Sequence, residues 1–190
     1  MNQQTISLSA RSKRGALLFA AIVSLASGQA FAAPTQGSLG GTSTGIINIS
    51  ASVPNRARIT GLADVAFTNQ DPATAASKAQ DVCVWSNTAT KGYTITATGS
   101  GTASAFTLTN GTGTVPYAVS WAASSGQTSG SPLVAGTASS SLVSTATQQT
   151  CSSGPTASAS LIVGISTTDL GTMTAGSSYT GTLTLLVTPQ

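Results

Sequence analysis

From residue 43 onward, apolar side chains recur at every second position between clusters of turn residues, and no segment repeats with a helical period. Ile47, Ile49, Ala51 and Val53 alternate with Asn48, Ser50 and Ser52. Tyr93, Ile95 and Ala97 alternate with Thr94, Thr96 and Thr98. Phe106 and Leu108 follow, then Tyr117, Val119 and Trp121, then Leu161, Val163 and Ile165, and finally Leu183, Leu185 and Val187. Successive side chains of a strand point to opposite faces, so each run reads as a half-buried β-strand. Gly99-Ser100-Gly101, Asn110-Gly111-Thr112-Gly113, Ser124-Ser125-Gly126 and Thr174-Ala175-Gly176-Ser177 separate the runs. Asn110-Gly111 has the chemistry of a tight hairpin turn. Many short strands with regular turns predict an all-β sandwich or barrel. Asp71–Lys78 and Gly126–Gln149, rich in Ser, Thr, Ala and Gly, read as long surface loops with room for a short helix or an extra hairpin. Ala33–Gly45 reads as a flexible leader whose one sizeable apolar residue is Leu39.

The start of the chain has a different grammar. Arg11, Lys13 and Arg14 precede an apolar run, Ala16–Ala26, of about eleven residues, against roughly 20 for a membrane span. Ala30-Phe31-Ala32 follows. A basic region, a short apolar region and an A-x-A site predict a secretory signal peptide over residues 1–32, cut between Ala32 and Ala33. The domain plan is then a leader over 33–53 and one folded domain over 54–190.

Charge narrows the chemistry. The whole chain has 7 Lys and Arg against 4 Asp and Glu, and no His. Loss of residues 1–32 removes three bases, so the remainder has four of each sign and a net charge of zero. Such a chain has no electrostatic footprint for nucleic acid or for an anionic membrane surface. The acids are Asp64, Asp71, Asp81 and Asp169, with no Glu. General acid–base catalysis, a serine nucleophile with its base, and an ordinary zinc site all lack their groups. The expectation is a non-enzyme without cofactor or metal, acting through its surfaces. Gly99-x-Gly101 and Gly111-x-Gly113 read as turns, having neither the helix nor the Lys of a phosphate loop. Asn48-Ile-Ser50 and Asn110-Gly-Thr112 match the glycosylation pattern at a frequency expected by chance in so Thr-rich a chain. Trp85 and Trp121 lie in strand-like runs, which favours packing over sugar stacking.

Cys83 and Cys151 are the two cysteines. In an exported chain an even count reads as a disulfide, with free or intermolecular thiols as the alternative. Closing 68 positions would stabilise the fold by roughly 4 kcal/mol in the chain-entropy picture.

Three stretches carry a family resemblance. Asp81-Val-Cys-Val-Trp-Ser-Asn87 with Lys91-Gly-Tyr-Thr-Ile-Thr-Ala-Thr-Gly-Ser-Gly101 resembles the Cys-containing strand and the following strand of the spore coat U domain, found also in subunits of archaic chaperone–usher pili. Val115-Pro-Tyr-Ala-Val-Ser-Trp121, followed by Pro132-Leu-Val-Ala-Gly136, is similar to that family's Tyr-containing strand and its sequel. Ala175-Gly-Ser-Ser-Tyr-Thr-Gly-Thr-Leu-Thr-Leu-Leu-Val-Thr188 resembles its terminal strand. The likeness covers most of residues 43–190. One departure is that Pro54-Asn-Arg-Ala-Arg58 lacks the Cys that many members place there, so Cys83 is paired here with Cys151.

The resemblance implies an immunoglobulin-like, pilin-type β-sandwich that lacks its last strand and is completed by a donor strand from a neighbouring subunit. The sequence is compatible, since the last alternating run stops shortly before Gln190. The implied partners are identical or related pilus subunits, a periplasmic chaperone and an outer-membrane usher. The implied destination is the cell surface, reached through the periplasm. Ile47, Ile49, Ala51 and Val53 are the candidate donor, with an internal first strand as the other reading of the same residues. The alternative function is a self-complete secreted sandwich, either a carbohydrate-binding adhesin or a coat component. An outer-membrane barrel fits poorly, because seven aromatics after Ala32 cannot supply two girdles.

Overall fold

The computed structural model describes residues 32–190, so the expected signal peptide lies outside the described residues apart from Ala32. The described residues divide into two compact units, 32–51 and 52–190.

In the first unit, the leader folds back on itself. Thr35 and Ile46 exchange both backbone hydrogen bonds, at 3.0 and 2.9 Å, and Asn48 Nδ2 donates to the Ala32 carbonyl at 2.9 Å.

The second unit is built of antiparallel sheets. The strands are β1 (Ala57–Thr60), β2 (Ala76–Ser86), β3 (Gly92–Gly99), β4 (Thr107–Thr109), β5 (Thr114–Pro116), β6 (Ala118–Ala122), β7 (Ser131–Pro132), β8 (Leu142–Val143), β9 (Ala159–Ile165) and β10 (Leu183–Pro189). A short α-helix, α1 (Thr167–Gly171), follows β9. Five strands lie in the order β1-β2-β9-β6-β7 and three in the order β10-β3-β8, while β4 and β5 form a hairpin. The inward residues Val82 and Val84 of β2, Leu161, Val163 and Ile165 of β9, and Val119 and Trp121 of β6 share one apolar cluster. Tyr93 and Ile95 of β3 and the β10 residues Leu183, Leu185 and Val187 complete it from the other sheet. Two sheets closed over one core make a β-sandwich-like fold, in keeping with the alternation in the sequence.

The structure corrects several sequence expectations. The strand expected over Ile47–Val53 is absent, and the first ladder begins at Ala57. Alternation alone does not make a strand, because the main chain must also find a partner. β1 itself was not anticipated, for only Ala57 and Ile59 mark its inner side. β2 starts inside the supposed loop Asp71–Lys78, with Ala76 opposite Ile165. Its polar Ser77 and Lys78 are exposed, so the ladder there is held by backbone bonds rather than by apolar patterning. The Gly126–Gln149 loop is a crossing between sheets: its β7 pairs with β6, and its β8 pairs with β3. α1 was also missed, although Ser166-x-x-Asp169 is a capping pattern. Ser166 Oγ accepts from the Asp169 N–H at 3.1 Å.

Other expectations held. Asn110-Gly111 turns β4 into β5, with Gly111 at φ +91°, a conformation that favours glycine. Asn110 Oδ1 accepts from the Thr112 and Gly113 N–H groups at 3.0 and 2.7 Å. Trp121 is buried and donates from Nε1 to the Tyr93 hydroxyl at 3.2 Å. Cys83 and Cys151 are joined, with a Cα–Cα distance of 5.9 Å. The bridge forms a small cluster with Ala146, against which Trp85 packs half-buried.

Candidate functional site

β10 pairs with β3 on one side; on the other no strand is hydrogen-bonded to it among the described residues, although β1 approaches it. The register sets Leu183 opposite Gly99 and Pro189 opposite Tyr93, and the Gln190 N–H donates to the Gly92 carbonyl at 3.0 Å. In an antiparallel ladder the bonded residues alternate. Residues 184, 186 and 188 therefore bond to β3, while Leu183, Leu185 and Val187 direct their main-chain groups toward the open edge. The same three side chains are half-buried and pack on the core. One set of residues thus offers both apolar surface and unpaired backbone.

Across from this edge runs the segment 62–70, which joins β1 to the turn before β2. It belongs to no sheet, and Val65 and Phe67 pack against the core. Gln80 tethers it from β2 in the manner of a strand neighbour. Its Oε1 accepts from the Ala63 N–H at 2.7 Å, and its Nε2 donates to the Ala63 carbonyl at 3.0 Å. Between the segment and β10 lies a cavity of about 1430 Å³. Leu161, Val163 and Ile165 of β9 line it from the opposite sheet, with Tyr117 and Leu170. α1 and the turn after it close one end. Tyr179 there accepts from the Thr174 N–H at 3.2 Å, which lowers the pKa of its hydroxyl. Thr180 and Thr109 exchange backbone bonds of 2.8 and 2.9 Å. Burial raises the pKa of the Tyr117 hydroxyl, and Asp64 and Gln70 add polar groups to the lining.

The sequence-derived candidates fall in separate places. Ile47, Ile49 and Val53 are exposed at 73, 85 and 81%, and Ala51 is exposed as well. Cys83 and Cys151 form the disulfide. Ala32 and Ala33, flanking the expected cleavage, are at the start of the described residues. The groove residues on 62–70 and α1 were not singled out from sequence. The short Val65-x-Phe67 alternation was the available signal for the first of them.

The chain matches no family model, no curated protein and no solved structure.

Proposed function

We propose that this protein is a structural subunit of a surface fimbria or pilus, assembled by donor-strand complementation along a chaperone–usher route. The observation that carries the reading is the groove beside β10, where apolar side chains and unpaired backbone are presented by the same strand. An edge of this kind invites a further strand, whose backbone supplies affinity while alternate side chains fill the groove. Leu183 and Leu185 are the β10 residues that line it, and Ile47–Val53 offers apolar residues at every second position. Each Ile so buried contributes roughly 1.5–3 kcal/mol. The donor comes from an identical or related subunit, and a periplasmic chaperone covers the groove until an outer-membrane usher receives the subunit. The disulfide suits that oxidising route. The protein acts as a building element for adhesion rather than as an enzyme, and its sandwich is the immunoglobulin-like, pilin type.

A graft tests this. Residues 44–53 are appended after Gln190 through a flexible linker and deleted from their own position. The grafted chain is expected to be a soluble monomer without a chaperone. Ile49→Asp in the ungrafted chain is expected to abolish fibres while the chaperone complex still forms. A grafted chain that fails to fold, or an Asp variant that still polymerises, rejects the mechanism. An unaltered chain that purifies alone as a soluble monomer favours a self-complete sandwich instead.

A further inference from the structure

Charge in the second unit is sorted by end. Three of its four bases gather where β2 turns into β3. Arg58 is opposite Trp85 in the β1–β2 ladder. The Arg56 N–H donates to Asn87 Oδ1 at 2.6 Å, and its carbonyl accepts from the Asn87 N–H at 3.1 Å. Lys91 closes the same turn, its N–H on the Thr88 carbonyl at 2.9 Å. All three side chains are exposed, and no acid lies there. At the other end, Asp71 precedes the start of β2 at Ala76. Asp169 lies in α1, just past Ile165, which is opposite Ala76. Eleven positions of extended chain separate Ala76 from Asn87, about 36 Å. Asp64 and Lys78, of opposite sign, lie between the ends, and the Asp81 carboxylate is engaged by Ser160 Oγ and the Gly126 N–H, both at 2.7 Å.

Two further observations give this dipole a direction. The chain enters the unit at its basic end, where Asn87 Nδ2 donates to the Pro54 carbonyl at 3.0 Å, one residue after Val53. The groove meets the acidic end: Gln70 and Pro72 on either side of Asp71 line it, and so does Leu170 beside Asp169.

We infer that the basic end of one copy, carrying Arg56, Arg58 and Lys91, docks on the acidic rim of the groove of the next copy, beside Asp71 and Asp169. This inference rests on the donor-strand reading. Leu183 is the β10 residue far from the basic turn, and Pro189 is the one near it. A donor whose Val53 lies by Leu183 carries Arg56 three residues further, about 10 Å past the mouth. The contact joins two different surfaces of one chain, so it does not close on itself and it propagates as a filament. Opposite charges speed encounter in this orientation, while like ends repel and suppress the reversed one.

The test uses the full mature chain and follows elongation by light scattering and electron microscopy. One variant reverses the basic end (Arg56→Glu, Arg58→Glu, Lys91→Glu). The other reverses the acidic end (Asp71→Lys with Asp169→Asn, which keeps an acceptor for Ser166). At low ionic strength each alone is expected to elongate about tenfold or more slowly than the unaltered chain. An equimolar mixture is expected to recover most of the rate, because each variant's donor end then meets a groove of opposite charge. The differences are expected to shrink toward about 1 M salt, where screening acts over about 3 Å. Normal elongation by either variant alone, or a mixture no faster than its components, overturns the inference. A labelled, end-capped peptide of residues 44–53 carries no charge and reports the groove alone. Failure of the unaltered chain to capture it rejects the donor reading, whereas capture with unchanged elongation rates rejects only the docking of the poles. Should a multiple variant fail to capture the peptide, Lys91→Glu and Asp71→Lys, both in exposed turns, carry the comparison singly.

Discussion

Ser158 Oγ serves both backbone groups of Val84, donating to its carbonyl at 2.9 Å and accepting from its N–H at 2.8 Å. The β2–β9 ladder ends at Val82 and Ala159, and a serine hydroxyl takes the place of the next strand residue. The Ser158 N–H still reaches the Val82 carbonyl at 2.9 Å, and Ser144 Oγ also donates to Val84. These contacts are buried, so the core half of β2 stays satisfied although β9 has stopped.

Replacing Ser158 by Ala leaves the Val84 N–H buried without a partner. The expected loss is about 1–3 kcal/mol. Urea denaturation checks it, as a lower midpoint with an unchanged slope.

The disulfide anchors the 144–158 segment to β2. Reduction is expected to add two hydrogens in intact mass, with a linked peptide pair containing Cys83 and Cys151 in the unreduced digest. Cys83→Ser or Cys151→Ser is expected to lower stability by about 2–5 kcal/mol. Two free thiols in the native protein would contradict the pairing.

Tyr93 and Trp121 form a buried pair between the two sheets. Burial raises the Tyr93 pKa, and the bond from Trp121 lowers it less. Tyr93→Phe removes the acceptor and leaves the indole N–H unsatisfied, at a cost of about 1–3 kcal/mol. Trp121→Phe in the Tyr93→Phe background is expected to cost less than in the unaltered chain, since the hydrogen bond is already lost. A double-mutant cycle in denaturant measures the coupling.

Asp81 is expected to contribute to the acid sensitivity of the fold. Its pKa is lowered chiefly by the Ser160 hydroxyl and then by the Gly126 N–H, against slight desolvation. A carboxyl depressed in the folded state stabilises fully above its unfolded pKa, about 3.9 for Asp, and loses that contribution as pH falls through the folded value. Asp81→Asn is therefore expected to flatten the fall in stability below about pH 4, with little change in the pH dependence between about 5 and 8. Thermal melts across that range read the difference. An unchanged acid limb would remove Asp81 from this role.

Much of the architecture could be read along the chain because the interactions behind it are local. Tyr93-x-Ile95, Val119-x-Trp121, Leu161-x-Val163-x-Ile165 and Leu183-x-Leu185-x-Val187 became inner faces of strands, since one sheet face is buried and the other is wet. Asn110-Gly111 became a turn because its backbone is permissive. Ile47–Val53 shows the limit of that logic, having the pattern without the ladder. The opposite failure is β1, whose four residues pair fully with Ser86 to Cys83 despite a weak pattern.

By itself the sequence determined the strand faces, the tight turn, the scarcity of reacting groups and the presence of two cysteines, all properties of residue type and near spacing. Only the tertiary structure decided the groove. Its walls come from residues 62–70, 161–165 and 183–185, far apart in the chain, and its open edge depends on which strand lies beside β10. Neither strand order nor which edge stays unpaired is encoded within a local window. Both follow from how two sheets close over a shared core, and the same closure sends Arg56 and Lys91 to one end and Asp71 and Asp169 to the other.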